Sequence, residues 1–91
     1  METSGSFGST RRKRRKRLHL YLIDDDFNSF DNVIYALQTV LPDCNALLAE
    51  QMAMITHNAG KAELYSGFGN DVYIKYAQLQ KLGLNVDIRT K

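Results

Sequence analysis

The sequence predicts a small single-domain α+β protein with the element order β-α-α-β-α-β. Three observations predict it. The chain has 91 residues, room for one domain with a modest core. Apolar residues alternate with their neighbours over 18–23 and again over 84–88, the period of a strand. Between them, apolar residues recur every three to four positions in three stretches, the period of helices facing a core. Three short strands with three helices packed on one face satisfy this order. An all-helical bundle and a doubly wound sheet do not.

Each element has local reasons. Leu18, Leu20 and Leu22 alternate with His19, Tyr21 and Ile23 in the first strand. Residues 24–28 (DDDFN) form a turn, and Asn28 or Ser29 caps the helix that follows, with Asp31 in its first turn complementing the helix dipole. Phe30, Val33, Ile34, Leu37, Val40 and Leu41 make one apolar face, and Pro42 stops the helix. Asp43 is positioned to cap a second helix, in which Cys44, Leu47, Leu48, Met52 and Ile55 keep the helical spacing. That helix ends at 57–60 (HNAG), with Gly60 suited to a left-handed turn. Residues 61–66 (KAELYS) read as a short strand and Gly67-Phe68-Gly69 as a break. Val72, Tyr76 and Leu79 define a third helix stopped by Gly83, and 84–88 is the last strand.

Charge divides the chain in two. Residues 1–17 carry seven Lys/Arg and one Glu, a net +6, whereas 18–91 carry five Lys/Arg and nine Asp/Glu, a net −4. The first ten residues are rich in Gly and Ser, and 11–17 (RRKRRKR) are one cationic block with nothing to bury. Residues 1–17 are thus expected to be a disordered tail and 18–91 the folded domain. The single cysteine, Cys44, excludes an internal disulfide. The apolar run 18–23 is too short for a signal sequence and no stretch reaches membrane-spanning length. A cytoplasmic protein without a membrane association is the expectation.

The chemistry centres on Asp24, Asp25 and Asp26. Three adjacent carboxylates repel one another, and several readings account for them. One is a solvated acidic turn with Asp26 or Asn28 capping. A second is a Mg²⁺ or Ca²⁺ site, which needs further oxygen ligands brought in by Asp71 or Asp87. A phosphoreceiver domain needs a longer, strictly alternating βα chain and is set aside. His57, in the last turn of the second helix, reads by itself as an exposed imidazole beside helix carbonyls. No second His or Cys completes a zinc set, and Cys44 reads as a packing residue.

Two motifs taken together narrow the choice. Ile23-Asp24-Asp25-Asp26-Phe27-Asn28-Ser29-Phe30-Asp31-Asn32-Val33, followed about two helices later by His57-Asn58-Ala59-Gly60-Lys61-Ala62, resembles the ClpS family, the substrate adaptors of Clp AAA+ proteases. The resemblance covers roughly residues 18–90. It implies a three-stranded antiparallel sheet and a non-enzymatic binding module without a cofactor. It also implies recognition of proteins with a bulky apolar N-terminal residue (Phe, Leu, Tyr or Trp; the N-degron, or N-end rule, pathway) and their delivery to a Clp ATPase. In that reading Asp24, Asp25 and neutral His57 hold the α-ammonium. Asp26 braces the loop and Asn28 meets the ligand backbone. Phe30, Val33, Ala53, Thr56 and Val86 line or gate an apolar pocket. Lys75 matches a position used to dock the ATPase.

The chain departs from the family pattern at three of these places and at Asn70. Asp24 stands for an Asn, and its crowding against Asp25 is expected to raise at least one carboxyl pKa. Phe30 stands for a Met gate, Ala53 for a pocket Met and Asn70 for an acidic docking residue, so a reshaped pocket is expected. Two other functions stay open. The block 11–17 suits a nucleic-acid- or ribosome-associated protein, a reading the acidic domain behind it disfavours. A ClpS-like fold without peptide binding is the other.

Overall fold

The computed structural model describes residues 16–90. The expected disorder of 1–15 lies outside the described residues. Six elements follow in order: β1 (Leu18–Ile23), α1 (Phe30–Val40), α2 (Ala46–Ala59), β2 (Lys61–Gly67), α3 (Asn70–Lys81) and β3 (Val86–Thr90). β1 is the central strand of a β2-β1-β3 sheet and runs antiparallel to both neighbours.

The alternation in β1 decides which face carries the helices. Leu18, Leu20 and Leu22 point into a core shared with Ala36 and Leu37 of α1, Ala49 of α2, and Val72 and Leu79 of α3. His19, Tyr21 and Ile23 fall on the opposite face. There the His19 imidazole meets Glu63 at 3.2 Å, and the Lys61 ammonium lies 5.2 Å from the Tyr21 ring centre. The register with β2 slips between Leu20 and Tyr21, which pair with Tyr65 and Glu63. Leu64 is therefore the extra residue of a bulge.

Caps set the helix ends, with one correction. Ser29 caps α1, its hydroxyl accepting from the Asn32 amide at 3.1 Å. Asn45, not Asp43, caps α2, its Oδ1 accepting from the Leu48 amide at 2.8 Å. The Cys44 amide donates to Leu41 carbonyl oxygen at 3.2 Å, so the chain is still turning at 43. Gly60 ends α2 at φ 91°, a conformation that favours glycine.

The buried face of α2 also differs from expectation. Leu47, Leu48 and Ile55 are exposed, and the helix buries Ala49, Ala53 and Thr56 instead. These three lie at i, i+4 and i+7, one face of the helix. Small residues there let α2 approach β2 and α1 closely. β3 likewise begins two residues later than its apolar alternation suggests. The Leu84 amide donates to the Leu79 carbonyl oxygen at 3.1 Å, closing the end of α3, so it is unavailable to the sheet.

Candidate functional site

Two backbone hydrogen bonds assemble the site at the end of β1. The Asp24 amide donates to the Gly60 carbonyl oxygen at 2.9 Å, and the Ile23 amide to that of Asn85 at 2.8 Å. The first ties the loop after β1 to the end of α2, and the second ties it to the turn before β3. A cavity of about 210 Å³ opens between them. Asp24, Asp25, Asp26, Asn28, Phe30, Val33, Ala53, Thr56 and His57 all line it, joined by Leu22, Ile23 and Leu84. A cavity of about 150 Å³ accepts benzene, so this one has room for a large apolar side chain.

Val86 is elsewhere. It pairs with Leu22 across the sheet and is not among the cavity's lining residues, whereas Leu84, two residues earlier in the same core, also forms the wall. The α3 geometry explains the difference: Leu84 is the first apolar residue after the Gly83 turn, so it reaches the cavity before the strand starts. Sequence reasoning missed Leu22, Ile23 and Leu84 as wall residues, although all three were recognised as apolar positions of strands.

The three aspartates have different jobs. Asp25 braces the loop: Oδ1 accepts from the amides of Phe27 and Asn28, each at 3.0 Å, and Oδ2 accepts from the Asn28 side-chain amide at 3.0 Å. That task was expected of Asp26. Burial pushes the Asp25 carboxyl upward, but the hydrogen bonds from Asn28 and Phe27 together outweigh it and hold the group below its ordinary value. Crowding by Asp24 therefore does not raise it. The carboxylates of Asp24 and Asp26 are exposed and have no hydrogen-bond or ionic partner among the described residues.

Asn28 is tied on three sides. Besides Asp25, its amide donates to the Gly83 carbonyl oxygen at 2.9 Å, and its Oδ1 accepts from the Asn32 side chain. Both of its N–H donors are thus engaged within the domain. It locks the loop to α1 and to the turn after α3, a role its sequence position did not announce. At the mouth, the Phe30 and His57 rings meet edge to face, with centres 6.0 Å apart and planes at 82°. The Thr56 hydroxyl donates to the Met52 carbonyl oxygen at 2.8 Å, so this buried group needs nothing from the cavity.

The local electrostatics are one-sided. From 24 to 60 the sequence contains six Asp/Glu and no Lys or Arg. The carboxylates invoked for a metal site are paired elsewhere, Asp71 with Lys75 at 2.8 Å and Asp87 with Arg89 at 2.9 Å. Lys75 lies on α3, away from the cavity, with its ammonium 4.6 Å from the Tyr65 ring centre. Hydrogen bonds from Lys75 and then from the Tyr65 hydroxyl hold the Asp71 carboxyl below its ordinary value.

A pH prediction follows from Asp25. Its folded-state pKa lies below the ordinary 3.8. Its contribution is complete above that value and is lost as pH falls through the lower, folded-state value. Chemical-denaturation stability is expected to drop below about pH 4 more steeply in the wild-type chain than in Asp25→Asn, which starts lower. Parallel curves would show that the carboxylate does not brace the loop.

Comparison with known proteins places these features. Residues 13–86 match the family model described as ATP-dependent Clp protease adaptor protein ClpS. Among solved structures, Agrobacterium tumefaciens ClpS2 bound to L-phenylalaninamide superposes with a TM-score of 0.80. The identity is 19%, and the match covers 86% of this chain and 100% of that one. No curated protein sequence matches the chain. Among the described residues, no helix is long and apolar enough to cross a membrane.

Proposed function

Since the chain belongs to the ClpS family of Clp protease adaptors, we propose that its cavity receives the first residue of proteins with a bulky apolar N-terminus. One observation carries this reading: Asp24, a carboxylate without a partner among the described residues, borders an apolar cavity sized for one large side chain. An N-terminal residue presents an ammonium and a side chain from the same carbon, and the site offers both kinds of surface side by side. The ammonium has three N–H donors to satisfy. Asp24 supplies a free carboxylate. Among the described residues, Asp25 Oδ2 accepts a single hydrogen bond and keeps capacity for another. The imidazole of His57 is the third acceptor. Leu22, Val33, Ala53 and Leu84 surround the side chain, and Phe30 covers it.

No reaction is required. The protein acts by binding, in the cytoplasm, and hands its cargo to a Clp ATPase. Docking on that ATPase is assigned to the side of α3 that carries Lys75, where the lysine works as part of its pair with Asp71. The bound residue of ClpS2 is a phenylalanine amide, which supports an aromatic first residue here. The small Ala53 leaves room for one.

The side-chain half of the reading is tested with free-amine peptides that differ only at the first residue. Burying a Phe or Leu side chain contributes about 1.5–3 kcal/mol. Peptides starting with Phe or Leu are expected to bind at least about tenfold more tightly than one starting with Gly. Affinity independent of the first side chain would exclude the cavity as its receptor.

A further inference from the structure

The outer face of α2 has no part in the pocket, and its polarity is reversed for a helix in contact with water. Ala49, Ala53 and Thr56 face the core. On the opposite side Leu47, Leu48, Met54 and Ile55 are between 37 and 64% exposed, with Gln51 exposed among them. A helix packed on one side normally turns charged and polar residues outward. Here α2 contains no Lys or Arg, and Glu50 is its only carboxylate. Glu50 is one residue from Gln51, so it points about 100° away around the helix. An apolar stripe without charges marks an interaction surface, and a charged partner finds nothing to pair with on it.

The stripe is symmetric along the chain. Leu48 and Met54 lie three residues to either side of Gln51, and Leu47 and Ile55 lie four. Spacings of three and four keep all five on one face. The outline is therefore the same from either end, and a second copy running the opposite way presents a matching surface. In an antiparallel pair centred on Gln51, Leu47 meets the partner's Ile55 and Leu48 meets the partner's Met54, each contact occurring twice. The two Gln51 side chains meet on the axis. A primary amide carries both donors and an acceptor, so the two exchange hydrogen bonds. One polar residue within an apolar seam also fixes its register. Such reciprocity defines an isologous interface.

We propose that the outer face of α2 is a homodimer interface, in which two copies pack antiparallel about a two-fold axis through Gln51. A second copy fits because the outline is self-complementary and sets no charge against itself. Area decides the strength. A single pair of 14-residue helices buries less than the roughly 800 Å² per partner of a standard interface, so the dimer is weak and depends on concentration. The pockets stay open in it. His57 is six residues beyond Gln51, about 9 Å along the helix axis and a third of a turn around it. The two pocket mouths then stand about 18 Å apart along the seam.

Sedimentation equilibrium of the full chain from about 1 μM to about 1 mM tests the proposal. The average mass is expected to rise from one chain toward two and no further, because a two-fold contact closes on itself. Gln51→Lys sets two ammonium groups together on the axis and is expected to weaken association at least about tenfold. Position 51 is exposed, so the thermal unfolding of this variant should match the wild type. The register is read by cross-linking in a Cys44→Ala background. Gln51→Cys is expected to form a disulfide with its own copy on oxidation, and Leu47→Cys is not. Two copies of residue 47 are about 12 Å apart along the seam, beyond the roughly 7 Å that a disulfide spans. A saturating Phe-initiated peptide is expected to leave the association unchanged. A monomeric mass throughout would overturn the proposal and leave the face to the cargo or a Clp ATPase. Growth beyond a dimer, association unaffected by Gln51→Lys, equal cross-linking at 47 and 51, or dissociation by the peptide would each overturn it as well. Mass and cross-linking are read without peptide, so they are separate from success or failure of the peptide reading.

Discussion

Asp25→Ala is expected to lower both the stability of the domain and its affinity for peptide, the latter about a hundredfold. Both effects come from one carboxylate. Inside the protein, Asp25 accepts three hydrogen bonds from Phe27 and Asn28. Alanine leaves those donors to water and releases Asn28, which also links the loop to Gly83 and Asn32. Hydrogen bonds to a charged group contribute roughly 1.5–3 kcal/mol each and do not add in full. A stability loss of about 2 kcal/mol is therefore expected. On the ligand side, the variant loses one charged acceptor and the ordered position of Asp24 beside it. A loss of about 2.8 kcal/mol in binding is a hundredfold. Urea unfolding and peptide titration measure the two separately. A variant as stable as the wild type would show that Asp25 does not brace the loop. Unchanged affinity would remove it from the site.

His57→Ala is expected to weaken peptide binding by tenfold or more while leaving stability nearly unchanged. The imidazole has no hydrogen bond within the protein among the described residues; it meets the Phe30 ring edge to face. Losing an acceptor for an ammonium costs about 1.5–3 kcal/mol of affinity. An exposed substitution at a helix end usually changes stability by less than about 0.5 kcal/mol. The contrast with Asp25→Ala is the informative part: one residue builds the loop and binds, the other only binds. Full affinity in His57→Ala would mean that the carboxylates alone hold the amine.

Much of the fold was legible because strong apolar residues carried the period. The Leu18, Leu20 and Leu22 alternation and the α1 face from Val33 to Leu41 both appear in the structure as core, with Phe30 left at the cavity mouth. The face of α2 was not legible for the opposite reason. Its contacts run through Ala49, Ala53 and Thr56, which carry little hydrophobic signal, while the louder Leu47, Leu48 and Ile55 lie in solvent. Asp43 and Asn45 are both good N-caps by type, and only the turn after Pro42 decides between them. In the structure, the loop and the helix end that carry the two motifs line one cavity. The motifs could not say which of three adjacent aspartates would turn inward to take the loop amides, because identical residues differ there only in backbone direction. Leu84, rather than the expected Val86, lines the cavity.

The central claim is that this site recognises a free α-amino group together with an apolar side chain. Titration calorimetry with one Phe-initiated peptide and its N-acetylated twin addresses it most directly. Acetylation removes the charge and two N–H donors but keeps the ring. The free-amine peptide is expected to bind, and the acetylated one to bind at least about a hundredfold more weakly, a difference of about 2.8 kcal/mol. Equal binding of the two peptides, or binding of neither, would contradict the claim.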